Sequence, residues 1–168
     1  MKKNIIHELI MCTNVFVRKD GKYLLLKRAE NKKWAPGKVH AIGGKIDPNE
    51  NPLEGAKREL WEESGIRANN YKLEVVFLEI APYADDPNNW LVFYFTADYE
   101  SGEPKGSEEG DLLWLSPDEI YGSDLISSMK PVIKNILNPK DGTIFGTLTY
   151  DGKNNVIIGK SRIKICPA

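Results

Sequence analysis

Three carboxylates fall within five residues, at Glu59, Glu62 and Glu63, close behind a glycine pair at Gly43-Gly44. On a helix, Glu59 and Glu63 are one turn apart and Glu62 is three residues from Glu59, so all three project to one face. Like charges at such spacing repel, by about 4 kcal/mol for a pair 4 Å apart near a protein surface. A hard cation such as Mg2+ reverses the sign of that term, because it takes oxygen ligands. A solvated acidic face is the commoner meaning of such a run. Here the residues around it decide for a metal site.

The whole stretch from 44 to 66 reads GKIDPNENPLEGAKRELWEESGI. It resembles the signature box of the Nudix hydrolases, Gly-x5-Glu-x7-Arg-Glu-(apolar)-x-Glu-Glu-x-Gly-(apolar). Gly44, Glu50, Arg58, Glu59, Leu60, Glu62, Glu63, Gly65 and Ile66 fill every position of that pattern. The resemblance implies an α+β Nudix fold, an α/β/α sandwich around a central mixed β-sheet. It also implies dependence on Mg2+, with Mn2+ as a substitute, held by Gly44, Glu59, Glu62 and Glu63. Relatives supply one more acid from a loop late in the sheet, and Glu109 is placed for that role, with Glu108 as its rival. Arg58 points elsewhere on the helix than Glu59, and the resemblance has it brace Glu50 through a bidentate pair. Glu50 either touches the metal or orients the loop, with the second role favoured.

A metal cluster facing a glycine turn suits attack by water on a diphosphate linkage. A carboxylate then takes the proton, and Glu59, Glu63 and Glu109 remain equal candidates. Gly43 and Gly44 let backbone approach a ligand closely. Lys27, Arg28, Lys32, Lys33, Lys38 and Lys45 gather positive charge ahead of and inside the box, where it can hold phosphates. Trp34, His40, Phe77, Tyr83, Trp90 and Trp114 are the aromatic candidates for a base, although most such side chains belong to cores. His40, just before the glycine pair, suits a base or sugar contact, and Trp34 suits stacking.

The resemblance implies a substrate built as a nucleoside diphosphate joined to a further group. The strand layout, the loop acid before Trp114 and the closing hairpin are most similar to the MutT-type branch. That branch converts nucleoside triphosphates, including oxidised purine ones such as 8-oxo-dGTP, to monophosphate and pyrophosphate. Two departures stand against the oxidised-purine assignment. His40 replaces an Asn common in those relatives, and only Asp124 stands where some carry an acidic pair. The alternatives are a Nudix pyrophosphatase acting on ADP-ribose, a nucleotide sugar or a dinucleoside polyphosphate, an RNA-processing enzyme, and a non-catalytic nucleotide sensor.

Composition sets the frame. The chain has 168 residues, 41% hydrophobic and 28% charged, with a formal net charge of −1. That suits one globular domain over residues 1–168, with no global field for a nucleic-acid polymer. Cys12 and Cys166 are far apart and read as free thiols in a reducing compartment. The opening Met1-Lys2-Lys3 run is interrupted by His7 and Glu8 and does not read as a signal peptide, and no apolar run is long enough to span a membrane. The expectation is a cytoplasmic monomer or homodimer with a small nucleotide as its partner.

The elements follow from local signals. Glu8–Val17 and Tyr23–Leu26 flank Asp20-Gly21 as a hairpin. Val39–Ile42 is a short strand entering the box. Asn51, Pro52 and Glu54 form an N-terminal cap for the box helix, Leu53, Ala56 and Leu60 its buried stripe, and Gly65 its stop. Lys72–Ala81 and Trp90–Tyr99 are long strands around a turn-rich Pro82–Asn89 segment. Glu100–Gly110 is an acidic loop, Leu112–Leu115 a strand, and Ser116–Glu119 opens a helical turn. Ser128–Leu137 is a helix with Pro131 in its first turn, and Thr143–Tyr150 with Val156–Ile165 closes the chain as a hairpin.

Overall fold

The computed structural model describes residues 9–83, 88–139, 141–151 and 153–167. Glu8 and the residues before it, the middle of the Pro82–Asn89 segment and Gly152 of the closing hairpin lie outside the described residues.

The first hairpin joins β1 (Leu9–Lys19) to β2 (Lys22–Arg28). Its two loop residues, Asp20 and Gly21, both take positive φ, at 50° and 74°. Their backbone twist therefore matches that of the strands they join. β3 (Val39–His40), β4 (Arg67–Ile80), β5 (Asn89–Ser101), β6 (Gly110–Leu115), β7 (Thr143–Thr149) and β8 (Arg162–Cys166) complete one sheet. Its order is β3-β2-β1-β5-β4-β7-β8, with β6 on β2. The β1–β5 and β4–β7 pairs are parallel and the remaining strand pairs antiparallel, so the sheet is mixed.

Side chains alternate across the sheet as a two-residue period demands. Val15, Val17, Leu24, Leu26 and Phe95 face one side, where Ala56 and Leu60 of α1 (Pro52–Ser64) cover them. Phe16, Leu25, Phe77 and Tyr94 face the other, against Ile120 of α2 (Pro117–Gly122) and Ile133 and Ile136 of α3 (Ile133–Leu137). Each large aliphatic side chain fully buried this way contributes roughly 1.5–3 kcal/mol. This is the expected α+β sandwich around a mixed sheet.

Helix α1 begins as its sequence predicts. The Asn51 Oδ1 accepts from the Leu53 and Glu54 backbone N–H groups at 3.0 Å each. The Glu54 carboxylate returns the bond to the Asn51 N–H at 2.9 Å, which closes a capping box. Gly65, at φ 69°, ends the helix. Leu53 departs from the expected buried stripe: it is 36% exposed, and Gly55 and Ala56 face inward instead.

Other boundaries differ for identifiable reasons. The expected strand Val39–Ile42 keeps only two residues, because from Ala41 the chain leaves β2 and bridges to β1 through Ile42 and Val15. β4 begins five residues earlier than Lys72, its first part pairing with β5 through register shifts. The helix expected over Ser128–Leu137 is confined to Ile133–Leu137. Residues 127–132 form tight turns around Pro131, which has no N–H to donate and disfavours helix in the residue before it. The closing hairpin is wider than read. Asp151 gathers the Lys153 and Asn155 N–H groups at 2.8 and 3.1 Å, and a 3-10 turn at Ile158–Lys160 delays β8 to Arg162. No helix among the described residues is long and apolar enough to cross a membrane.

Candidate active site

After β3 the chain runs along the first half of β1. The Val15 N–H donates to the Ile42 carbonyl at 2.7 Å, Thr13 N–H to the Gly44 carbonyl at 2.9 Å, and Ile46 N–H to the Met11 carbonyl at 2.9 Å. These bonds pin Gly43-Gly44 between β1 and α1. A Cβ on Gly43 would collide with the Thr13 carbonyl oxygen. A Cβ on Gly44 would lie 2.6 Å from the Glu59 carboxylate. Gly43 has no room for a side chain, and one at Gly44 would push the Glu59 carboxylate aside.

The three box carboxylates do not stand in one line. At roughly 100° per residue, Glu63 lies ~40° to one side of Glu59 and Glu62 ~60° to the other. Glu59 faces the glycine pair and is 14% exposed, whereas Glu62 turns outward and is 55% exposed. Glu63 turns inward and its Oε2 accepts the Gly43 N–H at 3.2 Å. The expectation of a single face is thus corrected to an arc centred on Glu59.

Arg58 organises that arc. Its Nε and Nη2 donate to the two oxygens of Glu50 at 2.7 and 2.9 Å, forming the bidentate pair, and Nη2 also reaches the Lys45 carbonyl at 2.9 Å. Its Nη1 bridges Glu59 at 2.8 Å and Glu62 at 3.0 Å. Adjacency had suggested that Arg58 points away from Glu59; the long side chain instead curls back to it. Hydrogen bonds from Arg58 hold the Glu50 carboxyl below its ordinary range.

Glu59 and Glu63 go the other way. Burial raises the Glu59 carboxyl, outweighing the pull of Arg58, and the nearby Glu62 charge adds to the rise. Burial first and the Glu59 charge second lift Glu63 to about 7, against the lowering effect of the Gly43 hydrogen bond. Glu59 and Glu63 thus raise each other's cost of ionising, and Arg58 reaches the first of them.

Glu109 is near enough for its charge to raise Glu63, but it does not join the box carboxylates. It accepts from Lys32 Nζ at 2.6 Å and pairs with Arg28 Nη1 at 3.6 Å, and the Lys32 bond holds its carboxyl low. Glu108 is exposed. Of the expected basic cluster, Lys38 pairs with Asp124 at 2.9 Å, Lys27 and Lys33 are exposed, and Lys45 Nζ lies 5.6 Å from the Trp90 ring centre.

Beside the glycine pair opens a cavity of about 220 Å³. That is below the ~300–1,000 Å³ usual for a whole drug-sized ligand and suits one ring system. Arg28, Trp34, His40, Gly43, Gly44 and Lys45 all line it, as do Tyr83 and Trp90. Trp34 meets His40 and Tyr83 edge-on at 5.9 and 5.8 Å, and the Arg28 guanidinium lies 4.8 Å from the Trp34 ring centre. Phe77 and Trp114 are not part of it. Phe77 is core, and Trp114 packs on Tyr99 on the α1 side of the sheet. His40 is buried rather than at an open mouth, and burial lowers its pKa to about 4.

Sequence reading missed Cys12, Thr13, Glu79, Tyr94 and Ser128, which also line the cavity. Glu79 had a signal. It shares strand parity with Val75 and Phe77, so an acid was due to point into the core with them.

The donor set suits a hard metal ion. All candidate atoms are hard oxygens, the acids are half-buried and close enough to raise one another, and the glycine turn gives the Glu59 carboxylate room that any Cβ would take. The Gly44 carbonyl already accepts from Thr13 but keeps a second lone pair. Among the described residues no three acidic, His or Cys side chains yet converge as a finished cage, because Arg58 Nη1 stands between Glu59 and Glu62. These oxygens fit a divalent cation, which would stand in for Nη1 as the positive partner of Glu59 and Glu62.

A mixed-sheet sandwich thus carries a glycine turn, an arginine-braced acidic helix and an adjoining ring-sized cavity. The NUDIX domain family matches residues 11–137, and the chain belongs to that family. It is 31% identical over 140 residues to the Nudix hydrolase YvcI of Bacillus subtilis, covering 82% of this chain and 85% of that one. It is 34% identical over 93 residues to the oxidized purine nucleoside triphosphate hydrolase of Mus musculus, covering 55% and 58%. The crystal structure of the mutator MutT protein from Bacillus halodurans superposes with a TM-score of 0.78 at 30% identity, covering 92% of this chain and 97% of that one. The protein is thus an enzyme, a hydrolase acting on phosphoric anhydrides, and a non-catalytic sensor is set aside.

Proposed function

We propose that the protein is a Mg2+-dependent nucleoside triphosphate diphosphatase releasing nucleoside monophosphate and pyrophosphate, with oxidised purine nucleotides among its substrates. The observation that carries this reading is the adjacency of two spaces. The acidic arc at Gly44 and Glu59 opens directly beside a cavity walled by Trp34, His40 and Trp90. A nucleotide spanning them would put its base among the rings and its phosphates at the carboxylates.

The Gly44 carbonyl, Glu59, Glu62 and Glu63 would hold Mg2+, or Mn2+ in its place. When bound, that ion supplies neutralisation of phosphate charge and a lowered pKa for water. The chain's own groups do the rest. Lys45, beside Trp90, and Arg28, beside Trp34, face the route between base and box and would neutralise phosphate oxygens. Arg58, fixed on Glu50, keeps the acidic arc in place as its charge changes. Water attacks phosphorus, the bridging P–O bond breaks, and a carboxylate takes the proton. Glu59 and Glu63 suit that role. Glu109 suits it poorly, because Lys32 and Arg28 hold its charge.

A second reading keeps the same site but changes the group beyond the diphosphate. The chain is 34% identical over 110 residues to the NAD-capped RNA hydrolase NudC of Chromobacterium violaceum, spanning only 38% of that protein. A panel of nucleoside triphosphates, nucleotide sugars and dinucleoside polyphosphates, each with and without Mg2+, separates the readings by the leaving group recorded. Pyrophosphate from triphosphates supports the first. Turnover confined to sugar or dinucleotide substrates supports the second.

A further inference from the structure

Glu79 is a carboxylate that nothing in the hydrolytic site uses. It lies on β4, 6% exposed, and lines the cavity beside the box. Its Oε2 accepts the Tyr150 hydroxyl at 2.6 Å, and Tyr150 comes from the far end of the chain, after β7. Burial pushes the carboxyl up to about 7 against the lowering pull of the Tyr150 bond, and among the described residues no ion pair reaches it. An acid placed in an interior without a charged partner is costly. A purely structural use of this position would be better served by another apolar residue like Phe77.

A second observation points to a polar occupant. Among the described residues, the buried side-chain polar atoms without a partner are Thr13 Oγ1, His40 Nε2 and Trp90 Nε1. All three residues line this same cavity. Thr13 is fully buried and His40 is 5% exposed. The hydrogen bond from His40 to the Ala41 backbone favours a proton on its other nitrogen, which leaves Nε2 as an acceptor in the neutral ring. Orphaned buried polar atoms are rare in native proteins, and three around one cavity mark a site that takes a polar, planar ligand.

We propose that Glu79 sets base specificity: its carboxylate, positioned by Tyr150, receives a base edge carrying two adjacent N–H donors, the N1–H and exocyclic N2 amino group of a guanine-type purine. This rests on the reading that the cavity takes a nucleotide base. In its ionised form, favoured above about pH 7 and by a ligand that donates to it, Glu79 only accepts, and its two oxygens match two neighbouring donors. Adenine and cytosine offer one amino group beside a ring acceptor, and uracil places a single N–H between carbonyls. Guanine alone among the common bases presents the paired donors. The indole N–H of Trp90 and the Thr13 hydroxyl remain for the acceptors on the rest of the ring. Trp34, on the same wall as Arg28, covers a face.

The test compares guanosine and inosine monophosphates, which differ only in the N2 amino group, by equilibrium titration against the whole chain. Binding of a monophosphate does not require turnover, so it reads the base pocket even if no triphosphate is hydrolysed. Wild-type protein is expected to bind the guanine nucleotide roughly ten-fold or more tightly over the hypoxanthine one, the range for one hydrogen bond to a charged group. Glu79→Gln should shrink that ratio to about three-fold or less, because its amide offers one donor where an acceptor is needed. Tyr150→Phe, which removes only a hydroxyl, should weaken guanine binding several-fold and raise KM for the triphosphate more than it lowers kcat. It also keeps the assignment testable if Glu79→Gln does not fold. A wild-type ratio near one, or a ratio that both variants leave intact, overturns the assignment. Guanine selectivity without hydrolysis of any triphosphate would instead overturn the proposed reaction and leave the base assignment standing.

Discussion

Gly44 and Glu59 fit together as a socket and its occupant: a Cβ on the glycine would lie 2.6 Å from the carboxylate carbon and both of its oxygens. The missing side chain is what lets the carboxylate stand beside the turn. Gly44→Ala is therefore expected to displace Glu59 and lower turnover about ten-fold or more, with a small change in melting temperature, since Gly44 is only half-buried. Steady-state rates with Mg2+ and a thermal melt check this. Unchanged turnover would show that Glu59 acts equally well from elsewhere.

Glu62→Gln and Glu63→Gln keep shape and remove charge. Each should reduce turnover by roughly two orders of magnitude or more, the range for a lost metal ligand or proton acceptor. Glu109→Gln should cost less, since its carboxylate is already committed to Lys32 and Arg28. Near-normal Mg2+-dependent hydrolysis in either box variant would remove those residues from the metal site.

Much of this was legible in the chain because the signals are local. The capping box at Asn51 and Glu54, the stop at Gly65 and the hairpin at Asp20-Gly21 are short-range chemistry that the tertiary structure leaves alone. The arc of acids was legible in its residues but not in its shape, since a pattern of three and four residues does not say which member turns to solvent. The partners of Glu109 were hidden, because Lys32 lies 77 residues away and meets it only through the pairing of β2 with β6. The contact between Glu79 and Tyr150 was hidden for the same reason, across 71 residues. Helix α3 was overread because an apolar period persists through Pro131 while its backbone cannot.

Arg58→Lys separates geometry from charge. A lysine keeps one positive charge but not the fork that grips Glu50 with Nε and Nη2 while Nη1 reaches Glu59 and Glu62. Turnover should fall by about ten-fold or more, and the melting temperature should drop, because Glu50 loses a charge-assisted pair. If Lys restores both to wild-type values, the position supplies charge alone.

Trp34→Ala tests the ring wall. Trp34 touches His40, Tyr83 and Arg28 around the cavity, away from the carboxylate arc. Losing it should raise KM several-fold while kcat changes less, the pattern of lost ground-state binding. A KM unchanged for every good substrate would make Trp34 structural.

The pH dependence of stability follows from the same acids. Glu63 and Glu79 both stand at about 7 against an ordinary value of 4.5. Between those values the unfolded chain has released protons that the folded chain still binds, so stability falls as pH rises through the window and levels off above it. For Glu79, almost fully buried, the loss is on the order of 3 kcal/mol at most. His40, lowered from 6.5 to about 4, works in the opposite direction, since there the unfolded chain binds the extra proton. It cancels roughly one of the two carboxyls below about pH 6.5. The net expectation without metal is a melting temperature that declines from about pH 6 to about pH 7.5. Millimolar Mg2+ should reverse the decline by binding ionised carboxylates, so its stabilising effect grows with pH. Glu79→Gln should flatten part of the decline but leave the Mg2+ effect, whereas Glu63→Gln should reduce both. Thermal melts across that range, with and without Mg2+, give the answer. A melting temperature that climbs from pH 6 to 7.5 in metal-free buffer would mean the two carboxyls are ionised in the folded protein at neutral pH, with their charge compensated by groups other than the cation proposed for the acidic arc.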